Sequence, residues 1–113
     1  MGGYAQAYEV VEAKRLLYIS GQIPQSKDGV VPPTFDAQAR MAWANVRAQL
    51  DAAGMTIENL VKVTTFLASR DHALSNRALR QEFMGMHTPA LTVIICGIFD
   101  ERWLLEIEAI AAE

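Results

Sequence analysis

Apolar and polar positions divide the chain into a short series of elements with different periods. Tyr8-Glu9-Val10-Val11 and Leu16-Leu17-Tyr18-Ile19 are β-branched and aromatic runs joined by the polar stretch Glu12 to Lys14. Together they predict a hairpin, because such side chains fit a half-buried pleated surface. Ser20-Gly21-Gln22 interrupts the second strand, and Gly21 there marks a tight bend or a close approach of the backbone. Thr34 to Ala53 predicts a helix, with Ala39, Trp43, Val46, Leu50 and Ala53 recurring at steps of four and three on one stripe. Arg40, Arg47 and Asp51 fall opposite that stripe. Thr34 or Asp36 can cap the start, and Gly54 suits the left-handed position past the end.

Val61 to Leu67 predicts a strand, and about Asp71 to Met84 a second helix with Asn76, Leu79 and Phe83 on one face. Leu91 to Ile98 is almost unbroken apolar sequence, the pattern of a strand covered on both faces. After the loop Phe99 to Arg102, the segment Trp103 to Ala111 alternates. Trp103, Leu105, Ile107 and Ala109 share one face, and Leu104, Glu106, Glu108 and Ile110 the other. The sum is an α+β domain: a mixed sheet with two helices packed on one face.

The length of 113 residues and a hydrophobic share of 51% fit one domain spanning residues 1–113 with a real core. No apolar run reaches the roughly 20 residues of a membrane-spanning helix, so no membrane partner is expected. The start, Met1-Gly2-Gly3-Tyr4, lacks a basic stretch followed by an apolar block, and no signal peptide is expected. The single cysteine, Cys96, cannot form an internal disulfide, which points to a reducing cytoplasm. With a net charge of −3 and basic residues scattered except for Lys14-Arg15, the composition speaks against nucleic acid as partner.

Several motifs are similar to those of the RidA (YjgF, endoribonuclease L-PSP-like) family. Ser20-Gly21-Gln22-Ile23-Pro24 resembles its SGQIP signature, and Gly2-Gly3-Tyr4-Ala5-Gln6 its N-terminal G-P-Y-x-Q, with Gly3 in place of proline. Leu50-Asp51-Ala52-Ala53-Gly54, Val61-Lys62-Val63-Thr64, Asn76, Phe83, Pro89-Ala90 and Glu106-Ile107-Glu108-Ala109-Ile110-Ala111 also fall in register. The resemblance implies a chorismate-mutase-like fold and a homotrimer binding a small molecule in clefts between subunits. It implies hydrolysis of reactive enamines and imines, such as 2-aminoacrylate, to a keto acid and ammonia, without a cofactor. In active members an arginine follows Pro-Ala and clamps the substrate carboxylate. Here that position is Leu91, and the tyrosine often found on the second helix is Leu79.

Leucine offers contact area, whereas an arginine fork supplies two charge-assisted bonds. Losing such a grip costs on the order of 2–4 kcal/mol, about 30-fold to 1000-fold in transition-state binding. Weak or absent activity on 2-aminoacrylate is the expectation, unless a distant residue such as Arg102 or Arg15 supplies the clamp. The resemblance makes Glu106 the residue that positions the attacking water, with Tyr4, Ser20, Gly21, Leu91 and Val93 lining the substrate pocket. Val93 stands where some relatives carry a cysteine.

The residues themselves leave plainer alternatives open. Glu106 and Glu108 lie on one face of a strand roughly 7 Å apart, which suits either a general base or a solvated acidic edge paired across an interface. Tyr4 reads equally as a packed terminal aromatic, and Ser20-Gly21 as a plain strand-to-loop turn. Cys96 has no basic neighbour in sequence to activate it and reads as an inert buried thiol. His72 and His87 lack the spacing of a metal pair, His87 reads as a loop residue or the cleft mouth, and Trp43 as core. Two functions follow: a RidA-type hydrolase whose substrate lacks the usual carboxylate, or a non-catalytic trimer binding a small ligand. Endoribonuclease activity is the least favoured.

Overall fold

The computed structural model describes residues 3–113; Met1 and Gly2, which begin the G-P-Y-x-Q-like segment, lie outside the described residues. The elements in chain order are β1 (Leu16–Gln22), α1 (Phe35–Ala52), β2 (Leu60–Leu67), α2 (Ala73–Met84), β3 (Ala90–Ile95) and β4 (Leu105–Ala112). Single 3-10 turns precede β2 and α2. The sheet runs β1-β4-β2-β3, antiparallel except for the β2/β3 pair, which is parallel and linked through α2. This is the α+β arrangement that the periodicity predicted.

α1 begins where Thr34 Oγ1 accepts the Ala37 N–H at 3.2 Å, satisfying one of the donors a helix start leaves without a partner. Asp36 instead sits in the first turn. The helix stops at Gly54, which takes φ +71°, a conformation that side chains other than glycine rarely adopt. Ala39, Trp43, Val46 and Leu50 are buried as the stripe predicted, joined by Phe35, Gln38 and Ala42. They pack on the inward residues of the sheet: Ile19 from β1, Leu60, Val63 and Leu67 from β2, and Leu105, Ile107, Ala109 and Ala111 from β4.

Three expectations are corrected. The hairpin does not form: residues 8–11 are exposed and hold no strand, Glu12 turns the chain at φ +53°, and β1 pairs with β4. Strand-like composition supplies no partner, and β4 offers β1 an alternating partner with a buried face. The last strand starts at Leu105 and not at Trp103, because Arg102 is folded back onto Asp100 and the Trp103 N–H bonds the Asp100 carbonyl. The apolar run at 91–98 is shorter as a strand and is not covered on both faces. β3 is an edge strand, and Val93, Ile94 and Ile95 remain 40%, 43% and 37% exposed. Both helices pack on one side of the sheet, and among the described residues no helix covers its other side.

Pairing register fixes which residues share a face. Leu91, Val63 and Ala109 lie in one cross-strand row, as do Val93, Thr65 and Ile107, and these rows face the helices. Ile94, Phe66 and Glu106 form a row on the open side, and Thr92, Thr64 and Glu108 the next. Leu16 and Tyr18 extend that open side at 54% and 70% exposure.

Candidate functional site

The SGQ motif closes β1 with an irregular step: the β1/β4 register shifts between Ile19 and Gln22. A bulge of this kind re-aims the chain, and here it lays the Gly21 backbone against the side chain of Glu106. A Cβ placed on Gly21 would overlap the Glu106 carboxylate, at 2.7 Å from its Cδ and 3.0 Å from its Cγ. Only glycine leaves the carboxylate its place. Glu106 is half-buried on the open side of the sheet. Ser20 is exposed and lies in a neighbouring depression of about 230 Å³ with Tyr18, Lys62, Thr64 and Glu108. The two carboxylates thus differ in setting: Glu106 covers Gly21, while Glu108 is exposed in the depression lined by Lys62.

Tyr4, Leu91 and Val93 meet elsewhere, in a cleft of about 280 Å³ between α2 and the edge strand β3. The N-terminal segment is hooked to that edge: the Ala5 N–H bonds the Pro89 carbonyl at 2.9 Å and Ala5 bridges Ala90. Gly3, with φ +71°, packs on Gln81, and proline could not adopt that angle. Three further residues line the same cleft: Asn76, Arg77 and Arg80. Asn76 and Arg80 are only 3% and 5% exposed. Burial pushes the Arg80 guanidinium below its ordinary pKa, neighbouring Arg77 pushes the same way, and Tyr4 opposes them.

The two groups stand on opposite sides of the sheet. Leu91 and Val93 face the helices, and Glu106 faces away on a strand two places removed from β3. Within one chain they cannot touch a common small molecule.

The sequence of the chain matches the family described as Endoribonuclease L-PSP over residues 1–113. The chain belongs to this family, the RidA/YjgF proteins. It is 33% identical over 115 residues to the 2-iminobutanoate/2-iminopropanoate deaminase of Escherichia coli, covering 98% of this chain and 88% of the relative. A RutC family protein of Pyrococcus horikoshii is also 33% identical, covering 98% and 87%. Among solved structures, E. coli TdcF with bound serine superposes with a TM-score of 0.83 at 26% identity, covering 100% of this chain and 95% of that one. The Rid-family protein YyfB of Yersinia pestis reaches a TM-score of 0.86 at 23% identity, covering 99% and 88%.

Against the RidA pattern, the remaining sequence candidates resolve as follows. Arg15 and Arg102, the distant cations considered as clamps, are held by Glu113 at 2.9 Å and Asp100 at 2.8 Å, and neither lines the Leu91 cleft. Cys96 is half-buried, not fully buried, because it lies just past the end of β3. His87 Nε2 stands 2.7 Å from the Leu60 carbonyl, a contact that requires the Nε2–H tautomer. His72 stacks on Phe35 at 4.5 Å between centroids. Trp43 is core, stacked on Phe83 at 4.5 Å. Among the described residues no group of three or more His, Cys, Asp or Glu is placed to hold a metal, and no helix is long and apolar enough to cross a membrane.

Sequence reasoning missed Gln38, which ties α1 to the segment that leads into β4. Its amide donates to the Pro32 and Arg102 carbonyls at 2.9 Å each, and its oxygen accepts the Leu104 N–H at 2.8 Å. The residue is 2% exposed, so removing it strands buried backbone groups, each costing about 1–3 kcal/mol. Gln38→Leu is therefore expected to lower unfolding stability by about 2–4 kcal/mol, read from urea denaturation. A loss below about 1 kcal/mol would contradict the anchoring role.

Proposed function

We propose that the protein hydrolyses a small imine or enamine to a carbonyl compound and ammonia in clefts between the subunits of a homotrimer. The observation that carries this reading is the close approach of Gly21 and Glu106. A half-buried carboxylate held against backbone on the open side of the sheet is placed to take a proton from water. The water oxygen then bonds to the C=N carbon, giving a carbinolamine. Glu106 returns that proton to nitrogen and then relays the carbinolamine hydroxyl proton to the same nitrogen, so the C–N bond breaks and ammonia leaves as the carbonyl forms. Glu106 ends as the carboxylate it began as, and the step calls on neither metal nor cofactor.

Backbone groups at Ser20 and Gly21 would orient the reactant, and Tyr4, Leu91 and Val93 of an adjacent subunit would complete the pocket. The separation of the two groups on opposite sides of one sheet supports an intersubunit site. The apolar open side and the exposed edge strand β3 support association of copies. The chain then acts as one domain, and the lone Cys96 suits a reducing cytoplasm. The name of the E. coli relative, a deaminase of 2-iminobutanoate and 2-iminopropanoate, supports the reaction class.

Leu91, standing where active members of the family carry arginine, favours a second reading in which the same trimer binds a ligand without turnover. Ammonia release from imines generated in situ, measured above the spontaneous rate, distinguishes the two. Catalysed release from at least one imine is expected; binding without any release would favour the second reading. Light scattering is expected to give a trimer, and a stable monomer at micromolar concentration would remove the intersubunit cleft from both.

A further inference from the structure

We propose that the groove between α1 and α2 binds a small aromatic monocarboxylate, with the ring between the two helices and the carboxylate on Arg47. The site is independent of the imine-hydrolase reading, since it shares no residue with the α2/β3 cleft and does not include Glu106.

The groove follows from spacing on two helices that face each other. Arg40, Trp43, Ala44 and Arg47 share one face of α1, and Leu79, Glu82 and Phe83 one face of α2. Trp43 and Leu79 are buried and form the floor, while Arg40, Ala44, Arg47 and Glu82 are exposed at the rim. At Ala44 the rim carries only a methyl group, which leaves a space of about 230 Å³ open. Clefts for drug-sized ligands run to roughly 300–1,000 Å³, so this one suits a single ring with one substituent. The Phe83 ring is stacked on Trp43 at 4.5 Å between centroids and lies 4.6 Å from the Arg47 guanidinium carbon. That cation–π contact steadies the guanidinium beside the aromatic wall. A guanidinium so placed can offer its N–H fork to the two oxygens of a carboxylate.

The charges decide the sign of the ligand. Glu82 is the one carboxylate among the described residues lining the groove, and Arg40 takes it up at 3.4 Å. The ion pairs among the described residues leave Arg47 out. The Trp43 pyrrole N–H, in the same wall, is buried without an acceptor. The groove thus has donors that lack acceptors. Arg40 and Arg47 stand seven residues apart, about 10 Å along the helix axis, too far to share one carboxylate. Past Arg47 the surface continues along Asp51 and Glu58, which repel a second negative group. A monoanion with one ring fits this pattern, and nucleic acid, with its row of phosphates, does not.

The test is an NMR titration of the intact protein with benzoate, benzamide and acetate. It follows the Trp43 indole N–H signal, assigned by its persistence in Trp103→Phe. Benzoate is expected to shift that signal. It should bind about tenfold or more tightly than benzamide, which has the ring without the charge, or acetate, which has the charge without the ring. Arg47→Gln should weaken benzoate about tenfold and leave benzamide unchanged. Ala44→Leu, an exposed change to a good helix former, should fill the groove and abolish binding of both. Arg77→Gln, in the other cleft, should bind benzoate as the wild type does. Circular dichroism checks folding; should Ala44→Leu not fold, Arg47→Gln and the benzoate–benzamide pair decide the matter.

No benzoate binding at millimolar concentration, equal affinity for benzoate and benzamide, or wild-type benzoate affinity in Arg47→Gln would overturn the proposal. Benzoate binding that leaves the Trp43 signal in place, or that Arg77→Gln removes, would assign the ligand to the α2/β3 cleft and overturn it as well.

Discussion

Gly21→Ala is expected to remove nearly all imine hydrolysis while leaving a folded protein. The added Cβ would fall on the Glu106 carboxylate, so either the side chain swings away or the bulge after Ile19 opens. Glu106 has room to move because its face of the sheet is open. Displacement of a general base by about 1 Å costs on the order of a hundredfold. Glu106→Gln should match or exceed that loss, since the amide keeps the shape but cannot accept the proton. The two changes should not add, because each removes the same carboxylate from the same place. Ammonia-release kinetics of the single and double variants check this, with circular dichroism as the control for folding. A Gly21→Ala variant with near wild-type kcat/KM would sink the role given to Glu106.

Leu91→Arg is the second change with a large expected effect. An arginine introduced at that position should raise kcat/KM for 2-imino acids by about 30-fold to 1000-fold. Arg77 and Arg80 line the space that Leu91 shares. A third guanidinium beside two others should also destabilise the free protein by about 1–3 kcal/mol, because like charges leave water for a small cleft. Pyruvate should offset that loss, so the variant's melting temperature should rise more with pyruvate than the wild type's does. A folded variant with no kinetic gain would favour the reading without turnover.

How far each feature could be read in the sequence follows from the range of the forces that place it. α1 was legible because its signals are local: the Thr34 cap, the four-and-three stripe and Gly54 all act within one helical turn of the residues they govern. β4 was legible in its alternation, which put Glu106 on the opposite face from Leu105 and Ile107. The SGQ motif identified Gly21 as a point of close approach but could not name its partner. Arg80 was overlooked, although it stands four residues after Asn76 and therefore on the same helix face. That spacing is a signal the sequence itself carries.

Sequence alone thus determined the element types, the inward and outward faces of β4, and the membership of the motif residues in one family pattern. Each depends on periodicity or on contacts within a few residues. Only the tertiary structure decided that β1 pairs with β4 and not with residues 8–11, that β3 is an exposed edge, and that Glu106 covers Gly21. It alone brought Arg77 and Arg80 beside Leu91. These are pairings between distant segments, chosen by which surfaces bury one another best, and a strand's own composition does not record which neighbour it will find.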